Sequence, residues 1–252
     1  MSKAPARIPT DIPLLQELAA RDCLVAKKAA SYNLAELLGG QIDLADSISL
    51  AQALTELDRN KNSGPGSMEA PQKQLLNARA GMIRFVLRSF GGSDEAIASK
   101  ATPFELPPVT PAALAEPKET IKLYRRFYSL HQSEMEHRVT KLRTSLRASI
   151  AFEGPDFIKL GNLDRILEDT LRDYIRSVLA GMSGMLAKQY KQRRDDFLNS
   201  ELSGQQSEPD FWLQEDGWLY HFHQDIQQLL IAEIDFRLLP VRALLDALES
   251  RD

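Results

Sequence analysis

Cysteine is almost absent. Cys23, alone among 252 residues, cannot close an internal disulfide, and no C-x-x-C step offers zinc ligands. Its place in the apolar run Cys23, Leu24, Val25 reads as a small buried side chain rather than a reactive thiol. Long apolar runs are missing too. The longest uncharged stretch with helical character, "SVLAGMSGMLA" (177–187), is too short to span a bilayer. The N-terminal MSKAPARIPTDIP lacks the apolar core of a signal peptide, so a cytoplasmic location is the default expectation. A formal charge of −4 marks neither a generic nucleic-acid binder nor a membrane-surface protein. No segment alternates apolar and polar residues over five or more positions, so strands are not expected. There is no G-x-S-x-G, no P-loop and no Cys–His context for nucleophilic catalysis.

What is present is helical periodicity in an ordinary globular composition, 43% apolar and 26% charged. The length suits one large domain or two small ones, with a substantial core. Thr10 or Asp11 can cap a first helix with Pro13 in its opening turn. "NLAELLGG" is a short helix with an Asn33–Glu36 capping box, and Asp43 can cap another carrying Leu44, Ile48, Ala51 and Leu54. "NKNSGPGS" (60–67) is a loop by composition. Leu76, Ala80, Ile83, Leu87 and Phe90 then step 4-3-4-3, with Gly91-Gly92 as the stop. Residues 102–118, "TPFELPPVTPAALAEPK", hold five of the 13 prolines, which exclude a continuous helix. This stretch is expected to link an N-terminal helical segment (1–101) to a C-terminal bundle (119–252).

The bundle is the longest regular pattern. Ile121, Tyr124, Tyr128, His131, Met135, Leu142, Leu146 and Ile150 fall close to one seam. "EGPDF" breaks it. A second long helix carries Leu163, Leu167, Leu171, Tyr174, Val178, Met182 and Met185 inward and can continue to Leu198. After "SGQQSEPD" a third starts near Asp216 with Leu219, Phe222, Ile226, Leu229 and Leu230 inward, until Pro240 kinks or ends it before "VRALLDALES". Three long helices joined by short breaks give an all-α fold, an antiparallel bundle preceded by shorter N-terminal helices.

Four blocks in this order carry a family resemblance: "QIDLADSISLAQAL" (41–54), "YRRFYSLHQSEMEHRVTKLRTSLRASIA" (124–151), "LGNLDRILEDTL" (160–171) and "IAEIDFRLLPVRALLDAL" (231–248). Together they resemble the proteobacterial family catalogued as domain of unknown function 3348, over most of the chain except the Pro-rich linker and the loops. The resemblance implies a small intracellular protein linked to a bacterial envelope assembly. It implies no activity, and no catalytic residue can be carried over.

Two sequence features could hold a metal. His221 and His223 are about 200° apart on a helix and cannot share an ion on one face. His223 shares a face with Leu219, Ile226 and Leu230, while His221 can pair with Asp225 four residues on. "HQSEMEH" spaces His131, Glu134 and His137 at i, i+3 and i+6. Glu134 and His137 form the E-x-x-H step of a di-iron carboxylate bundle, but no second E-x-x-H accompanies it. A core His131 and a solvated Glu134–His137 pair is the better reading, so no metal and no cofactor is expected.

Two features point to association. Ala180, Gly181, Gly184 and Ala187 lie inside a helix, where each glycine costs about 1 kcal/mol relative to Ala. Close approach by another backbone would offset that: tight packing within the chain is the first reading, a self-association or partner face the second, with Met182 and Met185 as adaptable flanks. "KQYKQRR" (188–194) gathers Lys188, Lys191, Arg193 and Arg194 around Tyr190, and Lys118, Lys122, Arg125, Arg126, Arg138, Lys141, Arg143 and Arg147 line the preceding helix. From Asp195 onward 13 acidic residues face three basic ones, so charge matching within the chain competes with phosphate binding. A non-enzymatic, cytoplasmic helical interaction or scaffold protein follows, with a protein partner or self-association. A nucleic-acid-associated protein using the basic face and a metal-dependent helical-bundle enzyme are the alternatives.

Overall fold

The computed structural model describes residues 69–91, 103–201 and 208–249, and every regular element among them is a helix. The helices expected before residue 60, the 60–67 loop and Cys23 lie outside the described residues. The elements are α1 (Glu69–Phe90), α2 (Ala112–Ala115), α3 (Pro117–Ala151), α4 (Pro155–Leu198), α5 (Pro209–Trp212), α6 (Trp218–Arg237) and α7 (Leu239–Glu249). No described helix is long and apolar enough to cross a membrane.

Proline sets several of these boundaries. Pro117, Pro155 and Pro209 open α3, α4 and α5, where a missing N–H costs nothing because the first-turn donors have no intrahelical acceptor. Pro240 sits second in α7, and α6 ends at Arg237 just before it, the stop expected from the sequence. Between α3 and α4 the chain turns at Gly154, whose φ of 139° lies where side chains are rarely accommodated.

Two compact units emerge, each assembled from separated stretches. Among the described residues, the first comprises 69–79, 139–179 and 235–249; the second comprises 80–91, 103–138, 180–201 and 208–234. The expected borders at 101 and 118 do not coincide with them. Residues 103–118 belong to the second unit, where Phe104 meets Phe85 edge-on at 5.0 Å and His131 at 5.5 Å. Prolines forbid a continuous helix there and leave only the single turn of α2, yet the Phe104 ring helps to fasten the irregular stretch to its own unit.

In the first unit Ile150, Phe157, Leu160, Leu163, Leu244, Leu245 and Leu248 form a buried cluster against which Leu75 and Leu167 pack. The N-terminal part of α1 runs beside α3 there, with Gln74 Nε2 donating to Ser149 Oγ at 3.2 Å. In the second unit the core is aromatic. Phe222 meets Tyr124 and Tyr190 edge-on, each at 5.1 Å, and Trp218 meets Tyr190 at 5.4 Å. The seam expected along α3 is buried from Tyr124 through Ile150 except where charged residues interleave, as are the apolar positions named for α6.

The seam expected along α1 is out of phase. Leu76 and Leu87 are exposed, and the buried positions are Met82 and Val86. The true stripe runs Leu75, Arg79, Met82, Val86, one residue round the helix, and Arg79 conceals it. Its guanidinium is bonded to Asp235, with Nε–Oδ1 2.7 Å and Nη2–Oδ2 3.0 Å. An apolar count cannot register a cation whose place is set by a bidentate partner.

Candidate interaction surface

From Ala180 onward α4 belongs to the second unit. Met182 and Met185 turn into the core, at 1% and 5% exposure. Ala180 and Gly181 are exposed, and Gly184 and Ala187 are half-buried. A Cβ built on Gly181 or on Gly184 would meet nothing within 4 Å. Among the described residues no helix approaches these glycines closely, against the first reading of tight packing within the chain. The two methionines are core rather than flanks of the face. Gly217 shows the contrast, since a Cβ there would lie 2.1 Å from the carbonyl oxygen of Trp212.

The basic cluster on the same helix divides. Arg193 Nε donates to Asp225 Oδ2 at 2.7 Å. Arg194 donates from Nε to the Leu114 carbonyl at 2.9 Å and from Nη1 to Asp195 at 3.0 Å. These two arginines are matched within the chain. Lys188 and Lys191 are exposed, and among the described residues neither forms an ion pair. Tyr190, the aromatic residue between them, is fully buried and donates to the Ala113 carbonyl at 2.7 Å, so it offers no stacking surface. Burial pushes its hydroxyl pKa up to about 12.

The cations of α3 divide in the same way. Lys118, Lys122, Arg125, Arg126 and Lys141 are exposed. Arg138 lies 4.5 Å from the Phe85 ring centroid and bonds Glu134 at 2.7 Å. Arg143 and Arg147 are not a solvated basic face. In the first unit Arg143 Nη2 donates to Asp164 Oδ1 at 2.6 Å, and Arg147 bonds both Asp164 and Glu168. Two arginines four apart on one helix meet two acids four apart on the other, a self-neutralising square with Arg143 and Asp164 buried and Arg147 and Glu168 half-buried.

Most metal candidates of the second unit are engaged elsewhere. His131 is fully buried, its Nδ1–H donating to the Phe127 carbonyl at 2.9 Å and its Nε2 2.9 Å from Ser89 Oγ. Burial holds its imidazole below the ordinary histidine range. Glu134 faces Arg138, and His137 is exposed. His223 Nε2 is hydrogen-bonded to the Tyr124 hydroxyl at 2.7 Å, and burial pushes the imidazole down to about 4. Burial likewise raises the Tyr124 hydroxyl, which stays protonated. Asp225, the partner expected for His221, is held by Arg193. Among the described residues no group of three or more His, Cys, Asp or Glu is arranged to hold a metal ion.

In the second unit a further buried charge carries no mark in the helical spacing. Glu233 is fully buried and accepts from Tyr128 Oη at 2.7 Å and Gln132 Nε2 at 3.1 Å. Its signal was an acid inside the apolar run "LLIAEIDF", opposite Tyr128 on the α3 seam. The contacts satisfy a buried carboxylate and fix the α3–α6 register; they add no nucleophile or open ligand position.

The model of the family described as "Protein of unknown function (DUF3348)" matches residues 1–250. No curated protein and no solved structure matches the chain.

Proposed function

This chain belongs to that family of unknown function, and from this premise we propose that it is a non-enzymatic, cytoplasmic helical interaction protein that docks a partner on the exposed face of α4. The observation that carries the reading is the open space over Gly181 and Gly184 in the middle of a 44-residue helix. Interior glycines weaken a helix, and here nothing among the described residues uses the close approach they permit. A face of Ala180, Gly181, Gly184 and Ala187 is flat enough for a second helix backbone to reach it.

The polar groups of the second unit support the same reading. Its buried histidines, tyrosines and Glu233 all bond one another or main-chain groups, as a structural network does. Reacting groups would instead converge on a space that a substrate can enter.

Gly184→Leu tests the proposal. The side chain projects into open space, so thermal unfolding of the isolated protein should be unchanged or slightly raised. Binding at the face should be lost, seen by sedimentation for self-association or by co-purification for a partner. Unchanged assembly with unchanged unfolding would mean that nothing docks there.

A further inference from the structure

The exposed face of α4 does not stand alone. In the second unit it is continuous with a cationic face of α3. Arg125 of α3 reaches across, its Nε donating to the Ser183 carbonyl of α4 at 3.1 Å; further along the same two helices Arg143 meets Asp164 at 2.6 Å, while near the end of α4 Arg194 donates to the Leu114 carbonyl of α2. The two helices therefore run side by side in opposite directions, with Arg125 level with Ser183. On α3, Lys118, Lys122 and Arg125 recur at i, i+4 and i+7 and are all exposed. On α4, Gly184, Lys188 and Lys191 recur at i, i+4 and i+7, with both lysines exposed. Each row covers about 10 Å, two helical turns at 1.5 Å per residue. The result is a shallow groove with five cations on its rims and small residues on its α4 wall.

The carboxylates at its margins neutralise it only in part. Glu119 pairs with Lys122 at 2.7 Å and Asp195 with Arg194 at 3.0 Å. Among the described residues, Lys118, Lys188 and Lys191 form no ion pair. The acid-rich C-terminal stretch has matched Arg193 through Asp225 and left the lysines to solvent.

We infer that this groove binds an acidic amphipathic helix of a partner protein, with the partner's backbone against Gly181 and Gly184 and its carboxylates between the two lysine rows. The inference deepens the proposed docking role of α4 and rests on it. Charge complementarity selects an anionic partner. Two features select a helix over nucleic acid. The α4 wall is small and flat, which a helix backbone can approach and which contributes no polar contact to a phosphate. The face also lacks an exposed aromatic residue for base stacking, because Tyr190 is buried in the core.

Fluorescence anisotropy on the full chain separates the possibilities. The probes are a labelled 21-residue alanine-based helical peptide with glutamates spaced i, i+4, i+7 on one stripe, the same peptide with lysines in their place, and a 24-base-pair DNA duplex. The glutamate peptide should bind at low ionic strength and the lysine peptide should not. Lys188→Glu with Lys191→Glu should weaken glutamate-peptide binding by about tenfold, largely through the association rate, as loss of rim charges does. Gly184→Leu should abolish it while the unfolding transition stays in place. Absence of glutamate-peptide binding would overturn the inference. So would preferential binding of the duplex that is indifferent to Gly184→Leu, or a charge reversal that alters only the protein's own sedimentation, since the occupant would then be a nucleic acid or a second copy. Partner loss on Gly184→Leu despite a failed peptide would leave the docking role of α4 standing and remove only the acidic chemistry. Failure of both removes both.

Discussion

Arg143 and Asp164 meet across the α3–α4 hairpin of the first unit at 2.6 Å, each side chain 6% exposed. A charge so far from water depends on its partner, so breaking the pair costs more than deleting it. Arg143→Leu is expected to destabilise the protein by about 3–5 kcal/mol, the usual cost of orphaning a buried charge. The double variant Arg143→Leu/Asp164→Leu should recover much of that, because Arg147 keeps Glu168 as partner. Urea unfolding of the four proteins of the cycle measures the coupling; additive losses would mean the pair is not interdependent.

The glycines are expected to separate by what a methyl group would meet. Gly181→Ala and Gly184→Ala face open space and should each stabilise the protein by about 0.5–1 kcal/mol, the ordinary gain of alanine over glycine inside a helix. Gly217→Ala should destabilise it by roughly 1–3 kcal/mol, as overpacking does, because its Cβ would press on the main chain at Trp212 and Phe211. Thermal melts of the three variants decide it.

Stability should fall with pH in the mildly acidic range. Burial depresses His223 from 6.5 to about 4 in the folded chain and lowers His131 as well. Between those values the unfolded chain binds protons that the folded one does not. The contribution is therefore complete above about pH 6.5 and declines as pH falls toward 4. His223→Gln keeps a hydrogen-bond partner for Tyr124 Oη but cannot titrate, so its unfolding midpoint should vary less between pH 7 and 4.5. An unchanged slope would locate the dependence elsewhere.

Asp235 adds a lower window in the first unit. Hydrogen bonding to Arg79, with its charge and that of Arg242, holds the carboxyl below its ordinary 3.8, against the opposing effect of burial. Its stabilising contribution is present above that value and is lost as pH falls through the depressed folded value. Asp235→Asn should lower the unfolding midpoint at pH 7 and converge with the native chain in strong acid; a constant difference at every pH would contradict the assignment.

Much of the fold was legible because long amphipathic helices repeat their signal many times. Tyr124, Tyr128, Met135, Leu142 and Leu146 are buried on α3 as their spacing requires, and Pro117, Pro155 and Pro240 stand at helix starts. Errors arose where a polar residue occupied an inward position. Arg79 shifted the phase of α1 by one residue, and Arg143 and Arg147 read as a solvated face because their partners, Asp164 and Glu168, lie on another helix. The candidate surface was legible in part. Helical spacing grouped Ala180, Gly181, Gly184 and Ala187, but spacing alone cannot say whether a neighbour fills the space above them. Lys188 and Lys191 were named with Arg193 and Arg194; only their places against Asp225, Asp195 and the Leu114 carbonyl separate the free pair from the engaged one.

The central claim is that the exposed face of α4 is an interaction surface, and site-specific photocrosslinking in the source cell tests it most directly. A photoreactive phenylalanine analogue placed at position 181 or 184 projects into open space and should leave the protein folded. The expected result is one discrete adduct from both positions, abolished by Gly184→Leu in the 181 variant and absent when the probe stands at the exposed position 165 of the first unit. No adduct at 181 or 184, or the same adducts from position 165, would contradict the account.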